Sequence, residues 1–144
     1  EYNNVRASVS GQDFTGYKPI VYFKFAEGKV YREGTEETAA RSIDAVTNFL
    51  RKNPEARVLL EGHTCYIQRR LPNFELGLER AQFVESLLAA ADRVFVLSFG
   101  EEKPAADNSS EKTRRLNRRV EFKILNENEV PEDVYSQEYK ELKK

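Results

Sequence analysis

The stretch from Glu61 to Ala91 constrains the fold more than any other part of the chain. Gly62-His63-Thr64-Cys65 reads as the end of a strand, and an irregular segment follows it. Asn73 then opens a long helix as its N-cap, since its side chain can accept from the free N–H groups of a first turn. Leu76, Gly77, Ala81, Phe83, Val84, Leu87, Leu88 and Ala91 fall at helical spacing and form one broad apolar sector. Arg80 sits near the middle of that sector. Burying an unpaired charge is very costly. The sequence therefore predicts that this guanidinium meets an anion, or an opening to water, where the loop and the strand end converge. Arg80 is the first candidate for a functional residue.

The flanking segments supply the rest of a fold. Ile20 to Phe25 alternates, with Val21, Phe23 and Phe25 on one face, as a half-buried strand does. Thr35 is placed to cap a first helix, with Ala39, Ile43, Val46, Phe49 and Leu50 as its buried stripe and Asn53-Pro54 as its stop. Arg57 to Glu61 is a short strand whose continuous run Val58-Leu59-Leu60 suits a central position in a sheet. Arg93 to Gly100 alternates again, Glu101 to Ser110 reads as loop, and Ser109 or Ser110 caps a short helical segment reaching about Leu116. In the last strand, Arg119 to Leu125, the residues Val120, Phe122 and Ile124 point inward and Arg119, Glu121 and Lys123 outward. This order predicts an α+β fold, β-α-β-α-β-(α)-β, with two helices on one side of a four-stranded mixed sheet. Residues 1–18 read as a polar N-terminal arm, 19–126 as the domain, and 127–144 as a tail with a short helix from Pro131.

Composition excludes little and agrees with one modest core. Of 144 residues, 40% are hydrophobic and 33% charged, and the formal net charge of -1 gives no global basic field to recruit nucleic acid. No apolar run approaches the length of a membrane-spanning helix. With no Met, the chain is expected to be a trimmed piece of a longer precursor.

His63 and Cys65, two apart, would point the same way on an extended backbone, as a nucleophile pair would. A third group, an oxyanion loop and a second His are missing, so catalysis is not expected. Zinc would need three or four ligands, and only these two are near in sequence. Lys112, Arg114, Arg115, Arg118 and Arg119 cluster, yet the nearest aromatic, Phe122, belongs to the core. A nucleic-acid reader would interleave exposed aromatics with such charges. A solvated face with Glu111 and Glu121 as partners is the better account.

These residues carry a resemblance. Gly62-His63-Thr64, Asn73, Leu76 and Arg80-Ala81, then Gly100-Glu101, Pro104, Asn108 and Asn117-Arg118-Arg119-Val120, resemble the signature of the OmpA-like C-terminal domain, in register from about Ile20 to Leu125. The resemblance implies a non-enzymatic domain without cofactor or metal. It also implies a location in the periplasm, associated with the outer membrane, and binding of peptidoglycan that tethers an envelope or surface protein to the cell wall. The family's ligand is the diaminopimelate of the stem peptide. An Arg at the position of Arg80 grips its carboxylate, and an Asp at the position of Cys65 takes its ammonium. Thr64, Cys65, Asn73, Arg80, Asn117 and Arg118 are the ligand-binding positions so implied. Gln68, Pro72 and Gly77 depart from the family's usual Gly, aromatic and Ser, and Arg69-Arg70 adds positive charge. A neutral thiol cannot pair with an ammonium, so binding is expected to be weak. The alternative is a protein-interaction or assembly module that kept the scaffold and lost the wall ligand.

Overall fold

A computed structural model describes residues 18–23, 36–65, 70–89 and 91–125. The arm before residue 18, the Thr35 cap, Phe25 and the tail helix expected from Pro131 lie outside these residues. The elements are β1 (Ile20–Tyr22), α1 (Glu36–Lys52), β2 (Val58–His63), α2 (Arg70–Ser86), a 3-10 turn at Ala91–Arg93, β3 (Val94–Gly100), α3 (Glu111–Arg114) and β4 (Arg119–Ile124). They follow the predicted order. The four strands form one mixed sheet in the order β1-β4-β2-β3. β2 and β3 are parallel and joined through α2, while β4 runs antiparallel to both β1 and β2.

Strand alternation decides which side the helices cover. Val58 and Leu60 of β2, Val94 and Val96 of β3, and Val120, Phe122 and Ile124 of β4 share one core with Val46, Phe49 and Leu50 of α1 and Leu78, Ala81 and Val84 of α2. Burial of such side chains is the main stabilising term, about 1.5–3 kcal/mol for each one fully buried. Leu59, Glu61, His63, Phe99, Arg119 and Glu121 fall on the opposite face of the sheet.

Polar ties fix α1. Ser42, which the apolar stripe does not include, is buried where it accepts from Ile20 N (3.2 Å) and donates to Ile20 O (3.1 Å), joining α1 to β1. Arg93 donates to the carbonyls of Leu50, Asn53 and Ala56 at 3.0–3.2 Å. Those include acceptors that a helix C-terminus leaves open, and a cation suits its negative end.

Three expectations are corrected. α2 begins at Arg70, so Asn73 lies inside its first turn and is not the N-cap. The signal was Pro72: proline is favoured in a first turn, where its missing N–H costs nothing. α2 also ends at Ser86, not Ala91. Leu87 and Leu88 close the end with i−3 bonds to Val84 O and Glu85 O, and this tightening turns Leu87 outward to 40% exposure. Arg119, expected outward and solvated, is buried, for reasons given below.

Candidate functional site

β2 and α2 meet backbone to backbone. A Cβ on Gly62 would overlap the carbonyl oxygen of Gly77, so only glycine allows this approach. Pairing with β3 slips between Gly62 and His63, so that His63 lies opposite Gly100. Such an irregularity re-aims a strand end. Gly100, at φ 54°, takes a conformation that other residues rarely adopt, and its carbonyl accepts from Thr64 N at 2.8 Å. The end of β2 is thereby pinned between α2 and β3.

Arg80 projects from α2 beneath this junction and is 1% exposed. Its Nη1 donates to the carbonyl of His63 at 3.1 Å, and its guanidinium carbon lies 5.3 Å from the centre of the Phe23 ring. Burial is the main influence on its pKa, aided by the charge of Arg118 and opposed by Cys65 and Glu79. It is pushed down to about 10 and stays protonated at neutral pH. The opening to water expected from the sequence is closed. A main-chain carbonyl and an aromatic face serve the cation there.

Thr64 and Cys65 are buried beside it, and Cys65 is a free thiol. Asn73 is buried in the first turn of α2, and its Nδ2 donates to Glu101 Oε1 at 2.8 Å. Thr64 and Cys65 directly follow β2, Asn73 stands in the first turn of α2, and Arg80, further along α2, reaches the end of β2 through the carbonyl of His63. Glu101 joins them, a carboxylate that sequence reasoning missed. Its signal was its place directly after Gly100, which pairs with His63. Three other carboxylates of the segments around the site lie elsewhere. Glu75 is exposed on α2, Glu61 is on the sheet face opposite the helices, and Asp107 accepts from Ser109 and Thr113.

Asn117 and Arg118 stand one tier back. Asn117 Oδ1 accepts from Ala105 N (2.6 Å) and Ala106 N (3.0 Å), and its Nδ2 donates to Ala106 O (2.9 Å) and Asn108 Oδ1 (3.0 Å). Arg118, 1% exposed, donates through Nε to Phe23 O at 2.9 Å and through Nη1 and Nη2 to both oxygens of Glu111 at 3.3 and 2.7 Å. The fork of a guanidinium suits this bidentate grip. Arg119 donates to Glu121, to Asn117 O (3.3 Å) and to Lys103 O (3.0 Å). Carbonyls of the 101–110 loop and its approach therefore explain why Arg119 is buried. Two of the five basic residues clustered in the sequence are thus spent inside the fold.

On the opposite face of the sheet His63 is 2% exposed and stacks on Phe99, their ring centres 5.5 Å apart. Its Nε2 lies 3.9 Å from Glu61 Oε1, beyond hydrogen-bonding distance, so Glu61 acts on it through charge. Burial, with Arg119 assisting, lowers the pKa of the imidazole against the pull of Glu61 and Glu121. Glu121 is pushed up by its own burial, but the hydrogen bond and charge of Arg119 outweigh that and hold it below the usual carboxylate range.

Known proteins resemble this chain in sequence and in fold. It is 38% identical over 85 residues to the peptidoglycan-associated lipoprotein of Legionella pneumophila, covering 56% of this chain and 48% of that one. It is 30% identical over 109 residues to outer membrane porin F of Pseudomonas aeruginosa, covering 72% and 30%. The chain therefore spans half or less of the length of these two relatives. The crystal structure of the peptidoglycan-associated lipoprotein from Burkholderia pseudomallei shares the fold, with a TM-score of 0.67 at 23% identity over 82% of this chain and 98% of that one. The cell wall anchor of the T6SS from Pseudomonas aeruginosa shares it too, with a TM-score of 0.57 at 24% identity, covering 88% and 100%. The peptidoglycan-associated lipoprotein of Pasteurella multocida is 34% identical over 77% of this chain and 79% of its own length, and the OmpA family matches residues 22–118. This chain belongs to the OmpA family.

Proposed function

We propose that this domain is a non-catalytic module that binds peptidoglycan and tethers an outer-membrane or surface protein to the cell wall from the periplasm. Membership of the OmpA family, and the names of its relatives, support that reading. No described helix is long and apolar enough to cross a membrane.

The observation that carries the proposal is the lock between Arg80 and the carbonyl of His63, which sets a buried cation directly under Thr64 and Cys65. The ligand end is the diaminopimelate of the stem peptide, one carboxylate and one ammonium. Arg80 takes the carboxylate, with Thr64 and Asn73 beside it. Glu101, fixed by Asn73, is the carboxylate available for the ammonium in place of the family's Asp. Asn117 holds the 101–110 loop that carries Glu101, and Arg118 ties Glu111, just beyond that loop, to Phe23. Binding is weak for two reasons. Cys65 offers the ammonium no charge, and a guanidinium 1% exposed needs its cover to part before a ligand reaches it.

Sedimentation with purified sacculi, together with calorimetry using diaminopimelate, tests this. Cys65→Asp should tighten binding by about 1.5–3 kcal/mol, or roughly ten- to a hundredfold. Glu101→Gln should weaken it by at least about tenfold without a change in melting temperature. Absence of binding by both the natural chain and Cys65→Asp would refute the proposal and leave the protein-interaction module as the better account.

A further inference from the structure

We propose that Glu61, His63 and Glu121 form a binding site for one divalent transition-metal ion of the Zn2+ class, on the face of the sheet opposite the helices. Each offers one ligand atom, and these atoms all lie within 4.8 Å of one another. Glu61 and His63 are alternate residues of β2, and Glu121 is the cross-strand partner of Glu61 on β4. Backbone pairing, not loop placement, therefore brings the set together, and donors on paired strands are held more precisely than donors on loops.

The second observation is His63 itself. It is 2% exposed, and both of its ring nitrogens are buried with no hydrogen-bond partner among the described residues. Buried polar nitrogens are ordinarily satisfied, and an orphaned one calls for an explanation such as an ion. Nε2 is 3.9 Å from Glu61 Oε1. Tetrahedral bonds of about 2.0–2.2 Å would set ligand atoms roughly 3.3–3.6 Å apart. A contraction of this scale is within reach of the two glutamates, whose side chains are 15% and 24% exposed.

One imidazole and two carboxylates favour a borderline ion. Imidazole suits zinc, copper, iron and nickel, while magnesium and calcium prefer oxygen alone. With three protein donors, a fourth position stays open to water, as three-ligand zinc sites leave it. Arg119 belongs to the site's outer shell. Its Nε holds one oxygen of Glu121, its other donors are fixed on Asn117 O and Lys103 O, and the second Glu121 oxygen remains for the ion. Outer-shell bonds of this kind orient a ligating carboxylate. The charges of Arg119 and Lys18, which both act on Glu121, oppose a cation and keep the affinity moderate. Cys65, the residue that sequence spacing suggests beside His63, is not one of the three.

The chain has a single histidine, so its ring signals in an NMR spectrum are unambiguous. The full chain, cleared of metal with a chelator, is titrated with Zn2+ and separately with Mg2+. Calorimetry follows both the natural protein and Cys65→Ser, which removes the thiol as a competing ligand. The expected result is one Zn2+ per chain, saturating changes in the His63 signals in both proteins, and little response to Mg2+. Glu61→Gln and, independently, Glu121→Gln should weaken Zn2+ binding by at least about tenfold. Each variant is checked for the natural circular-dichroism spectrum before use. Unchanged His63 signals at saturating Zn2+, binding lost in Cys65→Ser, equal binding of Mg2+, or full affinity in both glutamine variants would each overturn the proposal. The NMR arm needs no variant, so a failure of either to fold leaves it decisive.

Discussion

Gly77→Ala should destabilise this protein although helix propensity argues the reverse. Glycine in a helix interior costs about 1 kcal/mol relative to alanine, so α2 on its own would gain from the change. The packing opposes it. A Cβ at Gly77 would lie 2.5 Å from Ser98 Oγ and 3.0 Å from the carbonyl oxygen of Gly62. The second neighbour is backbone, in a strand paired on both sides. The first is buried and hydrogen-bonded, with Ser98 Oγ donating to Phe74 O at 2.5 Å. Rotating Ser98 away gives up a bond worth about 0.5–1.5 kcal/mol. Overpacking of a filled site costs about 1–3 kcal/mol. Set against the helix gain, the two costs leave a net loss of roughly 0.5–3.5 kcal/mol. Ser98→Gly removes the nearer obstacle, so the double substitution should cost less than the sum of the singles by about 1 kcal/mol. Urea unfolding followed by far-UV circular dichroism on the four forms measures that coupling, and it suits a chain with no Trp. A stabilised Gly77→Ala, or single effects that add within about 0.5 kcal/mol, would refute the reasoning.

Asn117→Ala should cost about 2–3 kcal/mol in the same urea assay, because it strips four hydrogen bonds from the 105–108 segment. Hydrogen bonds from Arg118 hold the Glu111 carboxylate below its usual range. The unfolded chain therefore takes up this proton first as the pH drops. Stability from the pair is complete above the unfolded value and is lost as pH falls through the folded one. Glu111→Gln should flatten that acid limb of a stability-against-pH curve, and an unchanged limb would exclude the pair as its source. Cys65, 5% exposed, should react slowly with an alkylating reagent in native buffer and quickly in urea, as mass spectrometry would record. Equal rates would mean that the strand end opens freely.

Much of the architecture was legible because it depends on periodicity. Alternation at Val94, Val96 and Ser98 and at Val120, Phe122 and Ile124 fixed which strand residues face the helices, and the burial follows it. The stripe Val46, Phe49 and Leu50 did the same for α1. A match in order and spacing from Gly62 to Val120 was enough to point to the family. Local chemistry was read less well where two signals competed. Asn73 looked like a cap, but Pro72 just before it belongs to a first turn that had already begun.

Tertiary structure decided the roles of the charged residues, since a one-dimensional pattern says nothing of partners far away in the chain. Arg80 fell mid-stripe in the sequence, and only the fold shows that it lies on the carbonyl of His63, 17 residues earlier. Arg118 bonds Phe23 O across 95 residues, and Arg119, outward by alternation, is buried by the carbonyls of Lys103 and Asn117. Glu101 reached Asn73 across 28 residues. His63 and Cys65 are neighbours in sequence, yet the groups within reach of the imidazole are Glu61 and Glu121, because pairing of β2 with β4 sets them side by side. Hydrophobic burial is non-directional and shows itself in spacing. Hydrogen bonds and charges are directional and paired, so residue order supplied the candidates and the folded backbone chose among them.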